Sequence, residues 1–419
     1  MKHKELNKYY TLLSLYLAQS IPMSFFSTVI PVIMRMEHYS LESIGYIQLI
    51  KLPWIAKFLW APLVDRTSQS SKQYRKWILG SELFYAAIIV SIGFFDLATD
   101  FSTIIILMVI AFTASATQDI ATDAFAILIL KDKERSIGNS MQSAGSFIGT
   151  LVGSGVLLII YHYWGWMPLL HCLGVFVLLS LIPVMFYKNH RKRELDKSRK
   201  NVSPIEFIYF FKQRKIGGHL LLLFLFYAGI IGILTMIKPY LVDLGYDVKK
   251  IGFISGIFGT ACGALMTIPA GIFIRKKGLI KSVWIFPVLN LLVAIYFFML
   301  TYTNHQLYLI YIGVALLWSA YAMSSVFVYT LGMRVVRNGR EGTDFTIQIV
   351  ITHLSSLIIA VMSGKIADAL GYRGLFALEF GMGILILILI PFLFKHDFYS
   401  NKEPHCPVTE GVELPDKTF

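Results

Sequence analysis

Apolar residues run through this chain in blocks of about twenty, separated by short polar segments. A block of that length crosses the hydrocarbon core of a bilayer as a helix. Twelve blocks can be read, at 9–34, 41–64, 77–96, 103–129, 138–161, 166–187, 217–242, 249–274, 281–301, 307–333, 343–370 and 373–395. Pro22, Pro53 and Pro269 fall inside blocks, which membrane helices tolerate because neighbouring helices satisfy the freed backbone groups. "MKHKELNK" and the apolar run after it have the form of a signal peptide. Many further blocks follow, so the first is read as a helix that stays attached. The pattern predicts an all-α membrane protein of twelve transmembrane helices.

Composition and charge sharpen this picture. Hydrophobic residues make up 56% of the chain and charged residues 15%, against roughly a quarter charged in soluble domains. In a soluble protein the net charge of +13 would suggest nucleic acid. Here the basic residues sit in short loops, and no nucleic-acid partner is expected. With both termini in the cytoplasm, 30 of the 38 Lys and Arg residues fall in cytoplasmic segments and 4 in external loops, a strong positive-inside bias. Cys172, Cys262 and Cys406 form neither a metal pattern nor a disulfide framework. With no Ser–His–Asp set, metal-ligand cluster or Walker loop in view, the chain is not read as an enzyme. No cofactor is expected, and energy must come from a gradient or from the solute.

The connection 188–216, with "KNHRKRELDKSRK", divides the chain. Residues 1–187 form an N-terminal six-helix half, 188–216 a basic cytoplasmic linker, 217–396 a C-terminal six-helix half and 397–419 a disordered cytoplasmic tail. The linker is read as solvated beside anionic headgroups, with "SPIEFIYFFKQ" as an interfacial amphipathic helix. The halves repeat: "SIGYIQLI" from Ser43 matches "KIGFISGI" from Lys250, and "YWGWMPLL" from Tyr163 matches "LGYRGLFAL" from Leu370. A parallel repeat of this kind places a substrate path between the halves, near the bilayer midplane.

Polar residues inside the blocks are the candidate chemistry. In "ATQDIATDAF", Asp119 and Asp123 share one face of span 4, roughly 5 and 10 Å inward of its middle. Intramembrane carboxylates face a bundle interior or a wet cavity, so both are candidate proton sites. Span 2 offers Lys51 and Lys57 as charge partners, on different faces, with Lys57 at the depth of the aspartates. A static ion pair and a pair that switches on protonation both fit this pattern. A dry site favours a neutral carboxyl and a nearby lysine favours the charged one, so alternating access gives a physical route to proton coupling. Gln19, Gln118, Gln142, His353, Trp318 and Tyr321 are candidate cavity-lining residues, with interhelical packing as the other reading. Glu82 and Glu379 lie near enough to helix ends to reach headgroups.

Asp65 and Arg66, followed by "TSQSSKQYRKW" with Arg75, resemble the loop 2–3 motif of the major facilitator superfamily. That motif latches helix ends in one conformation, although Ala61 stands where the family has glycine. "LPWIAKFLWAPLVDR" (52–66), "SATQDIATDAFAILIL" (115–130) and "ERSIGNSMQSAG" (134–145) together resemble the peptide–acetyl-coenzyme A transporter family. It includes AmpG-type muropeptide permeases, eukaryotic acetyl-CoA transporters and RhtX/FptX-type siderophore permeases. The bacterial branches usually have a Tyr-Arg pair in span 5, where this chain has Ser146 and Phe147. The resemblance implies a proton-driven, alternating-access importer in a bacterial inner membrane. It would be a monomer and carry a bulky polar solute such as a muropeptide or a siderophore. Export, facilitation of another small molecule and a non-transporting membrane sensor remain open alternatives.

Overall fold

The computed structural model describes residues 2–36, 50–68, 70–96, 99–187, 202–303 and 306–394. The first part of span 2 with Gln48, the Ser43 repeat, most of the basic linker and the C-terminal tail lie outside these residues. All regular structure among the described residues is helical.

Among the described residues, seven helices are each long and apolar enough to cross a membrane. Two of them, Lys249–Leu300 and Glu341–Leu393, are helix pairs that reverse at a glycine. Gly278 has φ 78° and separates spans 8 and 9; Gly371 has φ 69° and separates spans 11 and 12. Spans 5 and 6 part in the same way at Gly165, φ 76°. Only glycine takes that left-handed conformation without a Cβ penalty. Gly165 and Gly371 occupy the repeated segments "YWGW" and "LGYRG", so the sequence repeat is also a repeat of one backbone turn.

The other spans are segmented. Span 1 runs through Lys2–Ser24, a π-helical turn Phe25–Val29, and Ile30–Met36. Span 2 comprises Leu52–Ala56, a 3₁₀ turn Lys57–Leu59, and the start of the helix Ala61–Thr67, whose last turn runs past the apolar block ending at 64. Span 3 is Ser71–Ile92, span 4 Phe101–Ile129, and span 10 Leu307–Gly332. Span 5 includes Arg135–Leu151 and span 6 begins with Trp166–Ser180. Span 7 is broken between Ile216–Leu225 and Ile231–Asp243.

Packing within the N-terminal half depends on small residues. Gly145, Gly149 and Gly153 recur every four residues on span 5. A Cβ on Gly149 would lie 2.4 Å from the Ser20 Cβ, and one on Gly145 2.7 Å from the Tyr16 Cβ. Helices in lipid gain their contact energy from such close backbone approach. Buried apolar clusters then fill each half, one around Phe25, Phe26 and Phe112 and another around Phe226, Phe286 and Phe327.

Two glutamates correct the sequence reading. Glu82 is 1% exposed in the middle of span 3, and neither carboxyl oxygen has a hydrogen-bond partner. Glu379 is buried in span 12 and accepts the Gly232 amide, which opens the second segment of broken span 7. Neither reaches headgroups, because both point into packed helix interfaces.

The linker helix Glu206–Phe211 is also more tightly held than its amphipathic pattern implies. Glu206 bonds Arg337 at 2.8 Å and Arg340 at 3.2 Å. Phe210 is buried in the C-terminal half, and the Phe207 ring lies 6.0 Å from that of Phe58 on span 2. Ile208 and Phe211 stay exposed on its other face.

Candidate functional site

The site grows from the break in span 2. Pro53 starts a short helix, and the 3₁₀ turn that follows carries Lys57 inward toward span 4. Lys57 is completely buried and makes an ion pair with Asp119. Its ammonium lies 4.7 Å from the centroid of the Trp54 ring, a cation–π contact. Lys51, six residues earlier, is half-buried at the start of the Leu52–Ala56 helix. The pairing partner of Asp119 is therefore the lysine that matched it in depth.

Asp123, one turn further along span 4, has different company. Its Oδ1 accepts the Tyr16 hydroxyl at 2.7 Å and the Gln142 amide at 3.2 Å. Its Oδ2 has no hydrogen-bond partner. One helix face thus holds two buried carboxyl groups, one facing a cation and one facing only neutral donors. Tyr16 was not anticipated, because a tyrosine in an apolar block gives no sign of the carboxylate it will meet.

The cavity-lining candidates divide. Gln19, Gln118 and Gln142 are buried; they pack inside the N-terminal half and do not line an open space. Gln142 serves Asp123, while both polar atoms of Gln118 lack a partner. Trp318 and Tyr321 are partly exposed near the middle of span 10. They form an aromatic cluster with Phe147, whose ring centroid is 6.0 Å from each. Phe147, from the N-terminal half, so occupies the join between the halves where the bacterial family branches usually carry arginine. His353 is exposed although it stands mid-span, and it lies close enough to Lys57 and Asp119 to feel both charges. Such a position lines the space between the halves.

The halves are bound together at the end that carries the basic loops. Asp65, just past span 2, accepts the Gly342 amide at 2.9 Å, the Thr343 amide at 2.7 Å and the Thr343 hydroxyl at 2.6 Å. The Tyr74 hydroxyl adds a fourth bond at 2.6 Å. Asp65 therefore caps the start of span 11 across the interface, where free amides and the helix dipole favour a carboxylate. Burial nevertheless pushes the Asp65 carboxyl up to about 7, against the pull of the Thr343 and Tyr74 hydrogen bonds. A Cβ on Gly342 would sit 2.8 Å from Asp65 Oδ1, so this approach requires glycine.

The other two latch candidates do not cross the interface. Arg75 donates to the Tyr187 carbonyl at 3.0 Å within the N-terminal half, and Arg66 is exposed. Further links across the interface come from residues that the charge count treated only as topology signals or left unremarked. Arg135 donates to the Met333 carbonyl at 3.0 Å, and the Ser140 hydroxyl to the Thr267 carbonyl at 2.7 Å. Within the C-terminal half, Arg337 joins Asp344 at 2.6 Å to Glu206 and so ties the linker helix to the loop before span 11.

Comparison with known proteins agrees with this architecture. Residues 12–348 match the family model described as Major Facilitator Superfamily. The anhydromuropeptide permease of Escherichia coli (strain K12) is 24% identical over 388 residues, covering 90% of this chain and 78% of the permease. A putative transporter AmpG 3 of Rickettsia typhi (strain ATCC VR-144 / Wilmington) is 26% identical over 354 residues, covering 79% and 83%. Among solved structures, the bacterial homologue of the iron transporter ferroportin in its outward-facing state superposes with TM-score 0.68 at 16% identity, over 92% of this chain and 99% of that one. FucP in the outward conformation gives TM-score 0.68 at 14% identity, over 92% of this chain and 98% of that one. This chain, built of two six-helix halves that meet around buried charges, belongs to the Major Facilitator Superfamily of membrane transporters.

Proposed function

We propose that this protein is a proton-coupled importer of a bulky polar solute of the muropeptide class, working by alternating access in a bacterial inner membrane with both termini in the cytoplasm. The relationship to an anhydromuropeptide permease over most of both chains supports the solute class. The 30 to 4 division of basic residues supports the orientation. On that orientation the Asp65–Thr343 bonds close the cytoplasmic side.

The carboxyl pair of span 4 carries the reading. Two titratable groups in contrasting environments suggest two roles. Asp119 balances Lys57, so it is assigned the charge switch. Asp123 faces only neutral donors, so it is assigned the proton carrier. A proton bound from outside, with solute against His353 and the aromatic cluster, then favours closure of the outer side. Release to the cytoplasm resets the cycle.

The test uses purified protein in proteoliposomes with an inward proton gradient and labelled anhydromuropeptides or ferric siderophores. Gradient-driven accumulation of anhydromuropeptide is expected. Asp123→Asn is expected to lose accumulation yet keep solute exchange, which moves no net proton. Asp119→Asn is expected to lose both. Accumulation that persists in Asp123→Asn would remove the proton assignment. Uptake of ferric siderophore alone would replace the solute class, and transport of neither would favour an exporter or a sensor.

A further inference from the structure

A groove of about 590 Å³ lies between spans 3 and 4, on the face of span 4 turned to the bilayer. Gly80, Phe84, Thr113 and Thr117 line it, with Lys76 and Trp77 at its basic-loop end. A second groove, of about 530 Å³, lies between spans 2 and 4 and shares Val109 and Thr113 with the first. Together they border span 4 from Ile105 to Thr117. That is a trough of roughly 18 Å at 1.5 Å per residue, and the acyl region of one leaflet is about half of the ~30 Å core. The walls are apolar, and exposed Phe84 and Ile110 mark the open side. The trough therefore matches one lipid tail in length and chemistry.

Its mouth selects a headgroup. Lys76 and Lys72 are exposed in the first turns of span 3, and Arg66 is exposed at the end of span 2. None of the three makes an ion pair among the described residues. The indole of Trp77 donates to Thr67 at 2.8 Å, which fixes the end of span 2 against the groove mouth. Three basic groups with no ion pair among the described residues, at headgroup depth above an apolar slot, are complementary to an anionic phosphate diester carrying a tail.

We propose that this trough is a binding site for one anionic phospholipid, its phosphate on Lys76 and Lys72 and one acyl chain along span 4. The site lies on the back of the helix that carries Asp119 and Asp123, so an occupied trough would brace that helix against spans 2 and 3.

The test is native mass spectrometry of the full chain titrated with phosphatidylglycerol or phosphatidylcholine. The expected result is one phosphatidylglycerol retained per chain, with little phosphatidylcholine. Lys76→Ala should weaken retention about fivefold, the share of one basic residue near the surface. Gly80→Leu is the second variant, because a Cβ there meets nothing within 4 Å. It fills the groove without disturbing helix packing, so retention should fall to background while lipid-free thermal stability is unchanged. Equal retention of both lipids, or retention untouched by both substitutions, would overturn the proposal. A dimer peak abolished by Gly80→Leu would also overturn it, by making the trough a contact between two copies of this chain.

Discussion

Replacing Asp65 by alanine should open the end of the molecule that carries the basic loops. In the closed form Asp65 accepts three hydrogen bonds from the other half: two backbone amides and the Thr343 hydroxyl. Each is worth about 1 kcal/mol net once competition from water is counted, so the set contributes about 3 kcal/mol to closure. A tenfold change in an equilibrium constant corresponds to about 1.4 kcal/mol. The closed-to-open ratio should therefore fall roughly hundredfold. Spin labels at Lys72→Cys and Lys276→Cys, both exposed positions at helix ends of opposite halves, would report the separation by pulsed dipolar spectroscopy. The three native cysteines must be replaced first. The parent protein should give one short-distance population, and Asp65→Ala a dominant longer one. Thr343→Val, which removes one bond of the three, should give an intermediate mixture. Distance distributions that stay superimposable across all three proteins, each eluting as a folded monomer, would refute the assignment of closure energy to Asp65.

The same label pair tests a pH dependence. The closed state holds the Asp65 proton up to about 7, whereas a solvated aspartate releases it near ~3.9. Asp65 thus favours closure fully below ~3.9 and loses that contribution as pH rises through 7; the open population should grow from pH 5 to pH 8, and Asp65→Asn should flatten the response. Lys57→Met leaves Asp119 buried without its cation and should cost about 3–5 kcal/mol, whereas Lys57→Met with Asp119→Leu should restore most of the stability; equal thermal denaturation of single and double variants would argue against a tight pair. Gly149→Val should separate spans 1 and 5, because its Cβ would meet the Ser20 Cβ at 2.4 Å. A markedly lowered unfolding temperature is the expected result, and an unchanged one would show that the two helices are free to part.

Much of this molecule could be read from its sequence, for a reason particular to membranes. Lipid offers no hydrogen bonds, so each crossing must be a closed helix of fixed length, and hydropathy reports it directly. The twelve spans follow from local composition. That Lys57 would meet one of the two span 4 carboxylates was legible too, because depth along a helix is countable and an unpaired charge in a dry interior is too costly to leave. Span 2 alone gave no sign that a 3₁₀ turn would aim Lys57, rather than Lys51, at span 4.

The rest was decided by which helix faces meet, and rotation about a helix axis leaves little trace in one chain. Gln19, Gln118 and Gln142 were equally suited to a cavity wall or a packed interface, and only packing placed them in the interface. Glu82 and Glu379 could have reached headgroups until their neighbours enclosed them. Asp65 was visible as a latch residue, but its principal partners are backbone amides of span 11, and every residue except proline has an amide to offer. The sequence by itself determined how many times the chain crosses the bilayer and at what depth its charges lie. Only the tertiary structure decided which carboxyl faces a lysine and which faces a tyrosine, because those contacts join segments 62 and 107 residues apart, and the rotation that brings them together is set by packing.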